Sequence, residues 1–283
     1  MSSSVFDQMM GRYTIQTEDD RTNALHEVMQ QIALAGLYRA GFFNKAAFYG
    51  GTCLRIFHDL PRFSEDLDFS LLQADPNFSI ADYFDAIVDE FKALGRAVVI
   101  SKKEKKKQSS VESAFLKDTT EIYNIRFQSI PHVKIKIEVD TQPPLGFSTE
   151  PKLLLLPFSF MVQCYTLPDL FAGKMHAMLF RSWNNRVKGR DWYDFEWYVR
   201  HTISLGFEHF IKRTQQTHGY DSTSMTPTLF KELLKKRILE TDINLVKNDV
   251  QPFIKDPSEI AIWSTDYFLQ LVDYMNVSST LSK

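Results

Sequence analysis

The sequence predicts an α+β protein, with a mixed sheet flanked by helices over residues 1–150 and a helical domain over residues 151–283. Three observations lead there. Residues 133–139 alternate strictly, with Val133, Ile135, Ile137 and Val139 on one face and Lys134, Lys136 and Glu138 on the other. That is the period of a half-buried strand. A second alternating run, residues 66–71, lies between helical patterns, so strands and helices interleave in the first half. After Pro168 only helical periodicity remains. A chain of 283 residues has room for two domains at roughly 100–200 residues each.

Residues 1–20 read as a loose polar arm. Leu25, Val28, Met29, Ile32, Ala35 and Leu37 recur at helical spacing across residues 21–40, and Gly41 supplies a stop. Residues 46–49 form a short apolar strand that ends in the tight turn Gly50-Gly51. Thr52 is placed to cap a short helix carrying Leu54, Ile56 and Phe57. Residues 66–71 make the next strand, residues 80–94 a helix and residues 97–100 another strand. A lysine-rich run at 102–107 and strands at 111–115 and 121–127 lead to the strand at 132–140. Pro143, Pro144, Pro151 and Pro157 mark an irregular crossing. Helices follow at 169–183, 191–205, 207–216, 228–237, 242–250 and 262–275, and the polar tail after Met275 is expected to fray.

Composition narrows the function classes. Hydrophobic residues make up 44% and charged residues 24%, as in a globular protein rather than a disordered or collagen-like one. The apolar run beginning at residue 153 is far below the roughly 20 residues of a membrane span, and no secretory signal opens the chain. No membrane partner and a cytoplasmic location are therefore expected. Two cysteines, Cys53 and Cys164, make no disulfide framework. A net charge of −2 gives the whole chain no nucleic-acid footprint, so any such surface is local. The histidines show no zinc spacing, and neither Gly-x-x-x-x-Gly-Lys-Ser/Thr nor Gly-x-Gly-x-x-Gly occurs.

Chemistry concentrates in three places. Gly50-Gly51-Thr52 joins a strand to a helix, where backbone N–H groups and the positive dipole end favour a phosphate, although a Gly-Gly pair alone only makes a turn. Asp66 and Asp68 lie two apart on a strand and share a face. Like charges side by side call for a cation, and hard oxygen donors suit Mg²⁺. Glu138, on the polar face of a later strand, would complete a site for two Mg²⁺ ions, with Asp140 on the same face as its rival. Taken singly, each acid is equally a solvated charge, and Glu138 a partner for Lys134 or Lys136.

Together these elements resemble the nucleotidyltransferase superfamily related to DNA polymerase beta. The stretch FYGGTCLRIFHDLPRFSEDLDFSL, residues 48–71, resembles the first motif of the AbiEii-type nucleotidyltransferase toxins, through Gly50, Gly51, Thr52, Arg55, Arg62, Ser64, Asp66, Leu67, Asp68 and Phe69. Ile135-Lys136-Ile137-Glu138-Val139 resembles the second, which favours Glu138 over Asp140. The helix carrying Lys174, Ala177 and Arg181 resembles a third, and Arg190-Asp191-Trp192-Tyr193-Asp194 a fourth.

The resemblance implies NMP transfer from an NTP, with pyrophosphate released, to an RNA acceptor, tRNA in particular. It also implies growth arrest and a cognate antitoxin encoded nearby. On this reading Asp66, Asp68 and Glu138 hold two Mg²⁺. Gly50, Gly51, Thr52 and Ser64 cradle the β- and γ-phosphates, and Lys174, with Arg62 or Arg181, neutralises the triphosphate. Lys174 and Asp191 belong to the active site, with Asp194 the alternative to Asp191. Between Phe171 and Arg200 six basic residues face three acidic ones, which suits a triphosphate or an RNA backbone. A protein hydroxyl or a small molecule as acceptor, or a silent nucleotide-binding module, stay open at this point.

Overall fold

A computed structural model describes residues 4–102, 120–129, 133–180, 187–218 and 225–278. The chain divides into two compact units. The sheet unit comprises Met1–His58, Ser64–Pro143 and Thr149–Cys164, and the helical unit comprises Asp59–Phe63, Pro144–Ser148 and Tyr165–Lys283.

The sheet unit is built on seven described strands: β1 (Ala46–Tyr49), β2 (Asp66–Leu71), β3 (Val98–Lys102), β4 (Thr120–Phe127), β5 (Lys134–Asp140), β6 (Thr149–Leu154) and β7 (Phe160–Tyr165). Their order across the sheet is β3-β4-β5-β2-β1-β7-β6. β2 runs antiparallel to β1 and parallel to β5, so the sheet is mixed as expected. Alternation decides which side is buried. Leu67, Phe69, Ile135, Ile137 and Val139 are fully enclosed, which leaves Asp66, Asp68, Lys136 and Glu138 on the other face. On the apolar side α2 (Glu18–Arg39) is buried along most of its length and packs on α4 (Phe84–Ala93). That crossing is close: a Cβ on Gly36 would stand 2.7 Å from the Ile87 Cα, so only glycine fits.

The helical unit carries α5 (Leu167–Phe180), α6 (Gly189–Arg200), α7 (Phe207–His218), α8 (Pro227–Leu239), α9 (Ile243–Val250) and α10 (Thr265–Tyr274). Every helix expected after Pro168 is present, with shifted ends. α5 packs on α6 and α7, and α6 on α9 and α10. The aromatic stripe Trp192, Tyr193, Phe195, Trp197 and Tyr198 is core, as its spacing suggests. Among the described residues no helix is long and apolar enough to cross a membrane.

Four expectations change. The polar arm contains α1 (Val5–Met10), closed by a Ser4/Asp7 capping box, with Phe6 and Met9 buried. Six residues are too few to show a period, but two apolar anchors and a cap suffice to dock them. The proline-marked crossing forms β6 and β7, which fall within the sheet unit up to Cys164, while Pro144–Ser148 falls within the helical unit. β6 is outermost in the sheet order, where Pro151 removes an N–H that a central strand would need. The tail does not fray at once, because Leu205 pairs with Asn276 and Ser278 through the backbone. The helix at 80–94 opens as a 3₁₀ turn, Ile80–Tyr83. The strand expected at 111–115 lies outside the described residues.

His209 on α7 is completely enclosed, edge-on to Phe147 and Tyr165, and neither ring nitrogen has a hydrogen-bond partner among the described residues. Burial, and then the nearby charges of Arg213 and Lys212, push its pKa well below the usual imidazole range. Below about pH 6.5 the unfolded chain therefore takes up a proton that the folded chain refuses, so stability falls as the pH drops. Thermal melts at about pH 7.5 and about pH 5.5 should show a smaller acid loss for His209→Phe than for the parent, the difference being at most about 1.4 kcal/mol per pH unit.

Candidate active site

The Gly-Gly turn positions the first acid. α3 (Gly50–Phe57) starts directly after β1, and Gly50 has a φ of +85°. A Cβ there would lie 2.4 Å from the Asp68 Oδ2. Glycine thus satisfies both the left-handed backbone and the close approach of the carboxylate.

Thr52 is not the cap expected of it. Tyr49 occupies the N-cap position, and Thr52 is fully buried within the first turn of the helix. Its hydroxyl donates to the Asp66 carbonyl and lies 2.9 Å from the Ser64 hydroxyl, while Gln30 Nε2 donates to the Ser64 carbonyl at 2.9 Å. These bonds fasten the turn to the start of β2. Arg55 pairs with Glu27 of α2 at 2.9 Å.

The parallel register of β2 and β5 sets the acids. Asp66 stands opposite Lys136, Asp68 opposite Glu138 and Ser70 opposite Asp140. Glu138 is therefore the β5 acid facing Asp68. Asp140, one step further along, accepts the Gln142 N–H at 3.0 Å and so caps the strand end.

A cation already lies in this cluster. Lys136 Nζ is 2.9 Å from Asp66 Oδ2 and 2.9 Å from Glu138 Oε1. Burial alone would lower its pKa, but Asp66 and then Glu138 override that and hold the ammonium above its usual range. Three carboxylates on one face of two neighbouring strands are the donor chemistry of a hard divalent ion. Among the described residues no three His, Cys, Asp or Glu side chains already enclose a metal position. Asp66 and Glu138 close on Lys136 instead. Their oxygens are the donor type a hard divalent ion takes, and two of them already hold a cation, the Lys136 ammonium. In the sequence Lys136 stands in the second motif and, with Lys134, is a candidate partner for Glu138. Its place one pleat from Glu138, opposite Asp66, was the available signal for more.

The helical unit holds a second charge cluster. Arg62 is 1% exposed and grips Asp194 with two bonds of 2.6 Å, from Nε and from Nη2, while Nη1 donates to the Phe63 carbonyl. Lys174 Nζ on α5 lies 2.8 Å from Asp194 Oδ2 and 3.0 Å from Asp191 Oδ1 on α6. Burial would raise the Asp194 pKa, but Arg62 and then Lys174 reverse this and hold it below the usual carboxylate range. Arg62 was expected at the phosphates. Its guanidinium is instead inside the unit, joined to Asp194. Arg181 lies outside the described residues, as does the lysine run apart from Lys102.

Residues 32–271 match the family described as nucleotidyl transferase AbiEii toxin of type IV toxin–antitoxin systems. Among solved structures the chain is similar to MenT4, a nucleotidyltransferase toxin from Mycobacterium tuberculosis H37Rv, at 16% identity and a TM-score of 0.59, over 95% of this chain and 88% of that one. It is also similar to JHP933 from Helicobacter pylori, at 16% identity and a TM-score of 0.52, over 92% and 90% of the two chains. At such identities these likenesses speak for the fold. No curated protein matches the chain.

Two substitutions test this geometry by urea denaturation. Gly50→Ala should lose about 1–2 kcal/mol to the left-handed backbone alone, and more as the new methyl displaces Asp68. Arg62→Met strips a buried carboxylate of its bidentate partner and should cost about 3–5 kcal/mol.

Proposed function

The chain belongs to the AbiEii family of nucleotidyltransferase toxins of type IV toxin–antitoxin systems, and from that premise we propose that it transfers a nucleoside monophosphate from an NTP to tRNA in a Mg²⁺-dependent reaction. It is a nucleotidyltransferase, and its family implies an NTP substrate, a divalent metal and a cognate antitoxin. The observation that carries the finer reading is the strand face on which Asp68 stands opposite Glu138, with Asp66 one pleat away.

Asp66, Asp68 and Glu138 would hold two Mg²⁺ ions. Bound there, the metal supplies positive charge for the attacking and leaving oxygens of phosphoryl transfer. The rest falls to the chain itself. Gly50, Gly51 and Thr52 offer backbone N–H groups at the positive end of α3 to the β- and γ-phosphates, with the Ser64 hydroxyl beside them. The Thr52 hydroxyl is engaged within the fold, so its contribution is its backbone. Glu138 is the base for the acceptor hydroxyl, which attacks the α-phosphorus as pyrophosphate departs. Positioning and neutralisation account for most of the rate.

Lys174 at the triphosphate, Arg181 as its helper and Asp191 in the active site are assigned by family resemblance. Arg62 is assigned to positioning Asp194, which in turn orients Lys174.

The purified protein, incubated with a divalent metal, total RNA and each α-labelled NTP in turn, should place label in a tRNA band with one preferred nucleotide. Asp66→Asn and Asp68→Asn should each reduce labelling more than about a hundredfold, the scale of losing one preorganised charge contact in the transition state. Label in protein instead would overturn the RNA assignment. Labelling that survived both substitutions would remove these acids from the mechanism.

A further inference from the structure

Lys136 carries a further role. Its ammonium sits 2.9 Å from one oxygen of Asp66 and 2.9 Å from one oxygen of Glu138. Those are two of the three carboxylates assigned above to the metal, and this inference rests on that assignment. An ion that enters from the same side meets oxygens that the ammonium already engages. Cation and ammonium therefore compete for the same donors.

The residue is also well placed to yield. Lys136 lies on the half-exposed face of β5, its side chain 26% accessible, and ends in a flexible four-carbon stem. The buried Arg62–Asp194 pair has no such freedom. Leaving the carboxylates costs Lys136 two charge-assisted contacts, and a polyanion arriving at the same face restores them.

The charges of these groups set what that polyanion must do. Asp66, Asp68 and Glu138 carry three negative charges, and Lys136 returns one. Among these four groups alone, one divalent ion balances what remains. A second leaves an excess of positive charge unless a strongly anionic ligand comes with it. A nucleoside triphosphate supplies that charge and accepts the released ammonium.

We propose that Lys136 is an internal counter-cation that holds Asp66 and Glu138 closed until metal and nucleoside triphosphate arrive together. The site then takes up metal weakly by itself and strongly with nucleotide, and the coupling resides in this lysine. It is a positioning residue: it acts through the carboxylates it holds.

Manganese binding, followed by the electron paramagnetic resonance signal of free Mn²⁺, tests this on the full chain. The parent, Lys136→Met, Lys136→Gln and the double variant Asp66→Asn/Asp68→Asn are titrated with Mn²⁺ alone, then with Mn²⁺ and a non-hydrolysable NTP analogue. Circular dichroism melts confirm folding, and either lysine variant suffices. In the parent, the analogue should tighten Mn²⁺ binding by about 5–150-fold, the usual range for coupled sites. In the lysine variants Mn²⁺ alone should bind tighter than in the parent, and the gain from the analogue should shrink by the same factor.

Equal Mn²⁺ affinity in parent and lysine variants, with binding lost in the double aspartate variant, would overturn the role of Lys136 and leave the metal assignment standing. Mn²⁺ binding that is absent in the parent with the analogue, or indifferent to Asp66 and Asp68, would overturn both.

Discussion

Asp68 and Glu138 face each other across neighbouring parallel strands, about 4.8 Å apart at the backbone, and two carboxylates at that separation repel unless a cation lies near. The fold enforces this proximity. Ile137 and Leu67, one residue from each acid, are fully buried on the opposite face. A register slip that separated the acids would turn those side chains out of the core. The apolar side of the sheet therefore holds the charged side in an arrangement it would not adopt unaided. Gly50 then lets the backbone come up to Asp68, where any side chain would clash.

Two clusters of opposite charge, each within its own unit, resolve the same problem differently. Around Asp194 the answer is permanent. Arg62 meets it with a planar, bidentate fork, Lys174 covers the second oxygen, and burial excludes water. Such a pair costs a great deal to break and holds α5 and α6 to one geometry through Lys174. Around Asp66 and Glu138 the answer is a single flexible ammonium in partial contact with solvent. Arg62 is suited to the first task and Lys136 to the second, for the reasons that distinguish guanidinium from ammonium.

Much of this was legible in the sequence, and what was not has identifiable causes. Period-two alternation located β2 and β5 and named their faces, so Asp66, Asp68 and Glu138 could be read together before any register was known. Periodicity likewise placed the six α-helices described in the second half. It could not place α1, because six residues hold less than two turns. It passed over β6 because Pro151 reads as a break, whereas an outermost strand tolerates it. Arg62 was misplaced for a different reason. Its partner lies 132 positions away, and nothing local distinguishes an arginine bound for phosphate from one bound for a buried aspartate. Thr52 shows the same limit on a smaller scale: a threonine after two glycines looks like a cap, but its hydroxyl is taken by Asp66 and Ser64.

The same reasoning explains why Lys136 was read as a neutralising partner rather than as part of the site. A lysine two residues before a glutamate on a strand is an ordinary surface pair, worth little because water screens it. The pair changes meaning when a second strand brings Asp66 to the same ammonium. It then marks the place where the fold has gathered more negative charge than it can leave unbalanced. An ion that binds there must do more than fill a gap, because it must outbid a cation tethered to the chain at high effective concentration. On the proposed assignment, affinity for metal would be set as much by Lys136 as by the three acids. A ligand that offered the lysine an anionic alternative would then raise that affinity without touching any metal donor.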